Sequence, residues 1–308
     1  MAWLEITINT QAKQVEAVAA ALTARGFSDL CLEDQQEFES FLEENRSCWD
    51  YIDEELQQRL QGLSQIKLYL EQEDTASLAR LERFAGEQGL PMTVAPLPDT
   101  DWEESWKDNY PPQQVGKRLL VLPCWRAEED TGGRIPVILD PGLTFGTGSH
   151  ATTRLCLTAL EQRVHGGESV LDLGCGSGIL SIAALKLGAK EALAVDIDDK
   201  CLTVAYDNAA LNGIGKDTYT VKVGDILSDE ALRAQIGGGY DIILANIVAD
   251  VIIALAPMVH SLLKQGGWFL CSGIIDTRAE EVKARLLEAG LEVLEERSSE
   301  GWFAFSCK

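Results

Sequence analysis

The 308-residue chain is short of positive charge: 26 Lys and Arg stand against 49 Asp and Glu, for a net charge of -23. Nucleic-acid binders hold phosphates with Lys and Arg, so an RNA or DNA groove is not expected. An anionic membrane surface repels such a chain, whereas a basic partner is attracted and steered in. Histidine is also scarce. His150, His165 and His260 have no ligand-like spacing, and the eight cysteines contain no C-x-x-C pair. No metal site is therefore predicted. The thiols sit among apolar neighbours and read as buried free cysteines in a reducing cytoplasm. Long hydrophobic runs are missing too. The most apolar stretch, residues 240–259, is interrupted by Asp241, Asn246 and Asp250, with Pro257 near its end. It falls short of the roughly 20 apolar residues of a membrane span and reads as a buried strand followed by a helix. The opening Met1-Ala2-Trp3-Leu4-Glu5 has neither a basic nor an apolar signal region, so no signal peptide is expected and the predicted location is cytoplasmic.

What is present suggests two domains. Residues 1–98 carry alternating strands at 4–8, 30–32, 66–70 and 92–94, with amphipathic helices at 11–25 and 76–88. The order βαββαβ predicts a ferredoxin-like α+β domain. Between its second and third strands, residues 33–55 hold ten acidic residues and one basic residue, Arg46. This insertion reads either as a solvated segment or as a surface for a basic protein. Residues 99–115 read as a linker, in which Trp102, Trp106 and Tyr110 fall at helical spacing and predict a docking face between domains. From 116 to 308 the chain is the second domain. Strands at 170–173, 192–195, 219–223, 242–245 and 268–271 alternate with helices, which predicts a parallel, doubly wound α/β sheet. A last helix, at 278–289, precedes strands at 291–294 and 302–305, and residues 295–301 read as the loop of an antiparallel hairpin.

The strongest signal is Val170-Leu171-Asp172-Leu173-Gly174-Cys175-Gly176-Ser177-Gly178. An apolar strand runs into three glycines and then a helix, so the backbone can turn sharply against a ligand at the carboxyl end of the sheet. Asp196 ends the next strand, 22 residues after Gly174, where a carboxylate can accept from both ribose hydroxyls. Two cofactors compete for this geometry. The dinucleotide fingerprint G-x-G-x-x-G fails, because Ile179 or Ser181 stands at its last position. Conversely, D-x-G-x-G-x-G resembles motif I of class I S-adenosylmethionine-dependent methyltransferases. That resemblance implies Gly174 and Gly176 beneath the methionine and ribose, Asp172 at the methionine ammonium and Ile197 beside Asp196. It also places Asp225 near the adenine amine, unless Asp225 is simply a solvated loop residue.

The fourth strand ends in Asn246-Ile247. A polar Asn beside the cofactor cleft can orient an acceptor amine: its side-chain oxygen and the Ile247 carbonyl would accept the amine hydrogens and aim the lone pair at the methyl. The alternative is a helix N-cap. Asp140-Pro141-Gly142-Leu143-Thr144-Phe145-Gly146-Thr147-Gly148-Ser149-His150-Ala151-Thr152-Thr153 is a Gly/Thr loop leading into a helix at 153–162. It can fold over the donor, with the Thr153 hydroxyl at the helix start. His150 reads as structural in preference to a general base.

This loop, motif I, Asn246-Ile247 and the Trp-rich linker resemble the PrmA family, the methyltransferases of large-subunit ribosomal protein eleven, across the whole chain. The resemblance implies a class I (Rossmann-like) seven-stranded sheet behind a ferredoxin-like front domain that recognises the ribosomal protein. It implies methylation of the α-amine and lysine ε-amines of that basic partner, with S-adenosylmethionine as donor and no metal. Donor binding falls on Phe145, Gly146, Thr147, Thr153, Asp172, Gly174, Gly176, Asp196, Ile197, Asp225 and Asn246, and acceptor positioning on Asn246 and Ile247. Ala151 and Val248 are mild departures from the pattern. The competing expectations are an RNA or small-molecule methyltransferase of the same fold, and a donor-binding module without catalysis.

Overall fold

A computed structural model describes residues 3–27, 29–34, 64–97, 107, 110–141 and 148–308. Residues 35–55 of the acidic insertion, Trp102, Trp106 and the loop residues Phe145, Gly146 and Thr147 lie outside that set. The chain divides into two compact units, Met1–Asn109 and Tyr110–Lys308.

The small unit has strands β1 (Trp3–Asn9), β2 (Cys31–Asp34), β3 (Ser64–Glu71) and β4 (Met92–Leu97), with helices α1 (Val15–Thr23) and α2 (Thr75–Gln88). The sheet order β2-β3-β1-β4, antiparallel throughout, is the split βαβ arrangement expected from the sequence. Ile6, Ile8, Ile66 and Leu68 alternate inward against Val15, Leu22, Leu81 and Phe84 of the helices. The Asp74 side chain caps α2 by accepting from Ser77 N, and Gly89 at φ 64° ends it. β4 continues through Pro96 and Leu97, beyond the expected strand end at residue 94. Pro96 stands opposite Leu4 on an edge strand, where a missing N–H costs nothing.

In the large unit, β5 (Gln113–Val115), β6 (Leu119–Pro123) and β7 (Ile135–Leu139) form a three-stranded sheet that was not read from the sequence. Helix α3 (Ala151–Leu160) follows. The main sheet is built from β8 (Ser169–Leu173), β9 (Glu191–Asp196), β10 (Tyr219–Val223), β11 (Tyr240–Asn246), β12 (Leu263–Ile275), β13 (Val293–Ser299) and β14 (Trp302–Cys307). Between these strands lie α4 (Ile179–Leu187), α5 (Lys200–Leu211), α6 (Glu230–Ile236), α7 (Ala249–Leu262) and α8 (Asp276–Glu288). The order is β10-β9-β8-β11-β12-β14-β13, parallel except where antiparallel β14 inserts between β12 and β13. Strand alternation divides the core. Val170, Ile242 and Leu244 pack with α3, α4 and α5, whereas Leu171, Leu173, Ile243 and Ala245 pack with α6, α7 and α8.

The hairpin boundary and the cysteine environments differ from expectation. Residues 295–299 are strand, and the hairpin turn is only Glu300-Gly301, at φ 54° and 79°. Two successive positive φ angles give the two-residue turn that matches strand twist, so charged residues that looked like loop are the outer rungs of an edge strand. Of the described cysteines all are free, but Cys31 is exposed and Cys124 half-buried, not buried as expected.

Candidate functional site

The carboxyl ends of β8, β9 and β11 build the site. Gly174, at φ 72°, turns the chain out of β8. A Cβ there would lie 2.3 Å from the Ile247 side chain, so the position demands glycine twice over. The turn is stitched to β9: Gly174 N donates to Val195 O at 2.8 Å, and Gly176 N donates to Asp196 Oδ2 at 2.8 Å. The other oxygen of Asp196 accepts from Asp198 N at 3.0 Å. A carboxylate has about four acceptor sites, so two N–H bonds leave Asp196 able to receive two hydroxyls. Beside it Ile197 leaves an apolar side chain 73% exposed.

Asp172 lies between Leu171 and Leu173, so alternation turns it to the α4 face. It is buried, and its Oδ2 accepts from Ser181 N at 3.1 Å and Ser181 Oγ at 2.6 Å. Its Oδ1 is buried with no partner. Burial pushes its pKa up to about 6; the Ser181 bonds oppose this, and the charge of Asp196 adds to it. A buried carboxylate oxygen without a donor is the counterpart of a cationic ligand group.

Asn246 closes β11 on the same face as Leu244, toward α3. Its Nδ2 stands 3.4 Å from Thr153 Oγ1, which is buried on α3. The fold thus joins two residues 93 positions apart. Asn246 is not a cap for α7. That helix is preceded by Val248 and has no side-chain cap. The Ile247 N–H donates to Ser272 O at 3.0 Å, and its side chain covers Gly174. His150 is the N-cap of α3: its side chain accepts from Thr152 N and its ring stands edge-on to Trp302 at 4.8 Å. Burial, reinforced by Arg154 and opposed by Glu300, holds its pKa below the usual range. This is the structural role expected of it. Asp225 stands apart from this cluster in its bonding. Its carboxylate accepts from Ser228 Oγ and Leu227 N, which hold its pKa low.

Two residues escaped the sequence reading. Asn208, buried on α5, donates to Ser177 O at 2.9 Å and accepts from Asp140 N at 2.9 Å. Asn212, one turn later, accepts from Ile138 N and donates to Ile138 O. Together they lash the end of β7, where the Gly/Thr loop begins, to the motif I turn. Gly148, at that loop's far end, packs on Val121 and Ile179. The available signal was the stripe Cys201, Ala205, Asn208, Ala209, Asn212: amides at the core positions of an apolar helical face.

The geometry is a strand-end cradle with an orphaned anion and a paired Thr and Asn. The family model described as ribosomal protein L11 methyltransferase (PrmA) matches residues 2–308. The chain belongs to that family. It is 38% identical to the ribosomal protein L11 methyltransferase of Alkaliphilus metalliredigens, over 98% of this chain and 96% of that one. To the enzyme of the same name from Heliobacterium modesticaldum it is 37% identical, over 99% and 96%. Among solved structures, the ribosomal protein L11 methylase of Lactobacillus delbrueckii subsp. bulgaricus superposes with a TM-score of 0.59 at 33% identity, covering 65% of this chain and 98% of that one. A PrmA-family protein is a class I methyltransferase in fold, and the strand order above is that of the seven-stranded sheet expected from the resemblance. Among the described residues, no helix is long and apolar enough to cross a membrane, and no group of three or more His, Cys, Asp or Glu could hold a metal ion.

Proposed function

We propose that this protein transfers methyl groups from S-adenosylmethionine to ribosomal protein L11, at its α-amine and lysine ε-amines. The observation that carries the reading is the buried, unpartnered Asp172 Oδ1 next to the Gly174 turn. When bound, S-adenosylmethionine supplies an electrophilic methyl on a sulfonium sulfur. Asp172 holds the methionine ammonium, Gly174 and Gly176 admit the methionine and ribose, and Asp196 receives the ribose hydroxyls. Ile197 covers the adenine face, and Asp225, through a free lone pair, stands near its amine. Phe145, Gly146 and Thr147, outside the described residues, complete the donor-binding set by the family resemblance.

Asn246, steadied by Thr153, places its side-chain oxygen toward the acceptor amine, and the Ile247 carbonyl takes a second amine hydrogen. The amine must arrive neutral for its lone pair to attack. A lysine titrates near 10.4 in water, so partial desolvation and loss of the proton to solvent come first. No general base is required.

Residues 1–98 act as the acceptor-recognition domain, joined to the catalytic domain by a linker that begins at residue 99 and is shorter than expected, since Gln113–Val115 is already a strand of the large unit. They hold 18 acidic and 7 basic residues, a net charge of -11 in under a third of the chain. On the sheet face opposite its helices, Trp3 and Tyr69 are exposed beside Glu5, while Lys67 is neutralised by Glu33 at 3.0 Å. An acidic, aromatic face suits a basic protein met away from bare rRNA, in the cytoplasm. Tritium transfer to purified ribosomal proteins, with and without rRNA, tests the assignment. Label confined to RNA would replace it with the RNA-methyltransferase reading. Calorimetry without donor binding would leave only a non-catalytic module.

A further inference from the structure

An open cavity lies in the large unit, and none of its lining residues is among those assigned to donor binding. Its volume is about 460 Å³, within the roughly 300–1,000 Å³ typical of small-ligand sites. One wall is the Arg154 and Thr158 side of α3. The others include Gln114 of β5 and Arg297, Ser298 and Ser299 of the edge strand β13, with an apolar floor from Val115 and Leu155. The charge here runs against the rest of the protein. In a chain of net -23, two guanidiniums face one cavity.

Neither arginine is consumed by its neighbours. Arg297 Nη2 donates to Gln162 Oε1 at 2.8 Å and to Glu295 Oε1 at 2.5 Å, but its Nε–H is buried with no acceptor. Glu295 is shared with Arg163, at 2.8 Å, so one carboxylate serves two guanidiniums. Arg154 meets the Ser149 carbonyl and, through Nη2, Glu300 at 2.5 Å. The Glu300 side chain is 67% exposed, and such surface pairs are readily exchanged for another anion. Thr158 spends its hydroxyl hydrogen on Arg154 O at 2.7 Å. The surplus is therefore of N–H donors: Arg154, Arg163 and Arg297 share Glu295 and Glu300, while the Glu161 carboxylate behind Gly116 is taken by the Lys117 and Arg118 N–H groups. Guanidinium N–H groups held only by a shared or surface carboxylate are available to an oxyanion.

We propose that this cavity binds a small oxyanion, a carboxylate or phosphate ester, through Arg297 and Arg154. The anion meets the exposed part of the Arg297 guanidinium, whose side chain is 22% exposed, and competes with Glu300 for Arg154. Arg154 is the residue after Thr153 on α3, so the occupant sits beside the helix turn that supports Asn246.

The test uses the full-length protein and two probes, inorganic phosphate and succinate, titrated at constant ionic strength with heat and tryptophan fluorescence as readouts. Two charge-assisted contacts predict saturable 1:1 binding with a dissociation constant of about 1 mM. Arg297→Lys keeps the charge but loses the planar guanidinium fork, and weakens binding about tenfold. Arg154→Gln weakens it similarly, while Arg278→Gln, on α8 outside the cavity, leaves it unchanged. Thermal melts confirm that each variant is folded. Absence of saturable binding to wild type overturns the proposal, as does binding that survives in both cavity variants. Kinetics with the protein acceptor then identify the source. A free metabolite-like oxyanion leaves the acceptor KM untouched by phosphate. An acidic group carried by the acceptor makes phosphate raise that KM with kcat unchanged. Either pattern, with the variant losses, supports the site.

Discussion

Replacing Asp172 by Asn separates donor binding from stability. In the fold this carboxyl titrates near 6, because burial penalises its charge more than Ser181 supports it. An unfolded aspartate titrates near 3.9. Between those values the folded chain holds a proton that the unfolded chain has lost. The stability tied to this group is therefore full below the unfolded value and is lost as pH rises through about 6. A gap of about two pH units corresponds to about 3 kcal/mol at pH 8. Asp172→Asn removes the buried charge, and its amide oxygen can still accept from Ser181 N and Oγ. The variant should be as stable as wild type at pH 8, or more stable by up to about 3 kcal/mol, less whatever the charged Ser181 bonds contributed. Donor binding moves the other way. The amide nitrogen takes the place of the orphaned Oδ1 and offers a donor to an ammonium that needs an acceptor. Loss of one charge-assisted contact weakens S-adenosylmethionine binding about ten- to a hundredfold. In wild type the affinity rises with pH to a plateau above about 6, since the ammonium selects the carboxylate, and falls by up to about tenfold per unit below it. In Asp172→Asn that dependence is absent. Calorimetric titration of the donor from pH 5 to 8, with urea unfolding at the same pH values, measures both arms. A flat wild-type profile, or wild-type donor affinity in the variant at pH 8, would refute the assigned role.

Other substitutions probe the remaining contacts. Asn246→Ala should lower kcat by about two orders of magnitude or more while donor affinity changes only a few-fold, because it removes orientation of the acceptor and not the donor cradle. Wild-type turnover would contradict that role. Gly174→Ala should destabilise by about 2–4 kcal/mol, through its positive φ and the clash with Ile247. In a double-mutant cycle Ile247→Ala should recover the steric part but not the backbone part, and strict additivity would show that the two positions do not meet. Asn208→Ala strands Ser177 O and Asp140 N, and should cost about 2–4 kcal/mol in urea unfolding. A neutral effect would mean that the lashing of β7 to motif I is dispensable. If the acidic small unit steers a basic acceptor, the KM for the ribosomal protein should rise steeply with salt while donor affinity changes little; a KM insensitive to salt would count against it.

The doubly wound class, the ferredoxin-like unit and the motif I turn were legible because each rests on local periodicity or on glycine. Val170 to Leu173, running into glycines, reads as a buried strand and is one, and Gly174 at φ 72° makes the sharp turn expected of it. Residues 113–139 were not legible. Their strands are short, and β6 is buried at every position, so no alternation marks it. The hairpin β13–β14 was foreseen, yet its charged outer strand read as loop, since an edge rung with one solvent face looks polar from sequence alone. Asn208 and Asn212 were missed because a mid-helix Asn resembles ordinary surface polarity until a partner 68 to 74 residues away is brought against it.

The sequence by itself determined what kinds of atoms could stand at the site: three glycines after a strand, a carboxylate on each of two strand ends, and an Asn on a third. Short-range chemistry dictates those choices, and they can be read one residue at a time. Only the tertiary structure decided which of them act together. It turned Asp172 inward and left one of its oxygens without a donor, bound Asp196 to the Gly176 amide, and removed Asn246 from any capping role by setting it against Thr153. It also gathered Arg154 and Arg297 around a cavity that the overall charge gave no reason to expect. Burial and long-range pairing set those outcomes, and both depend on contacts between residues that are far apart in the chain.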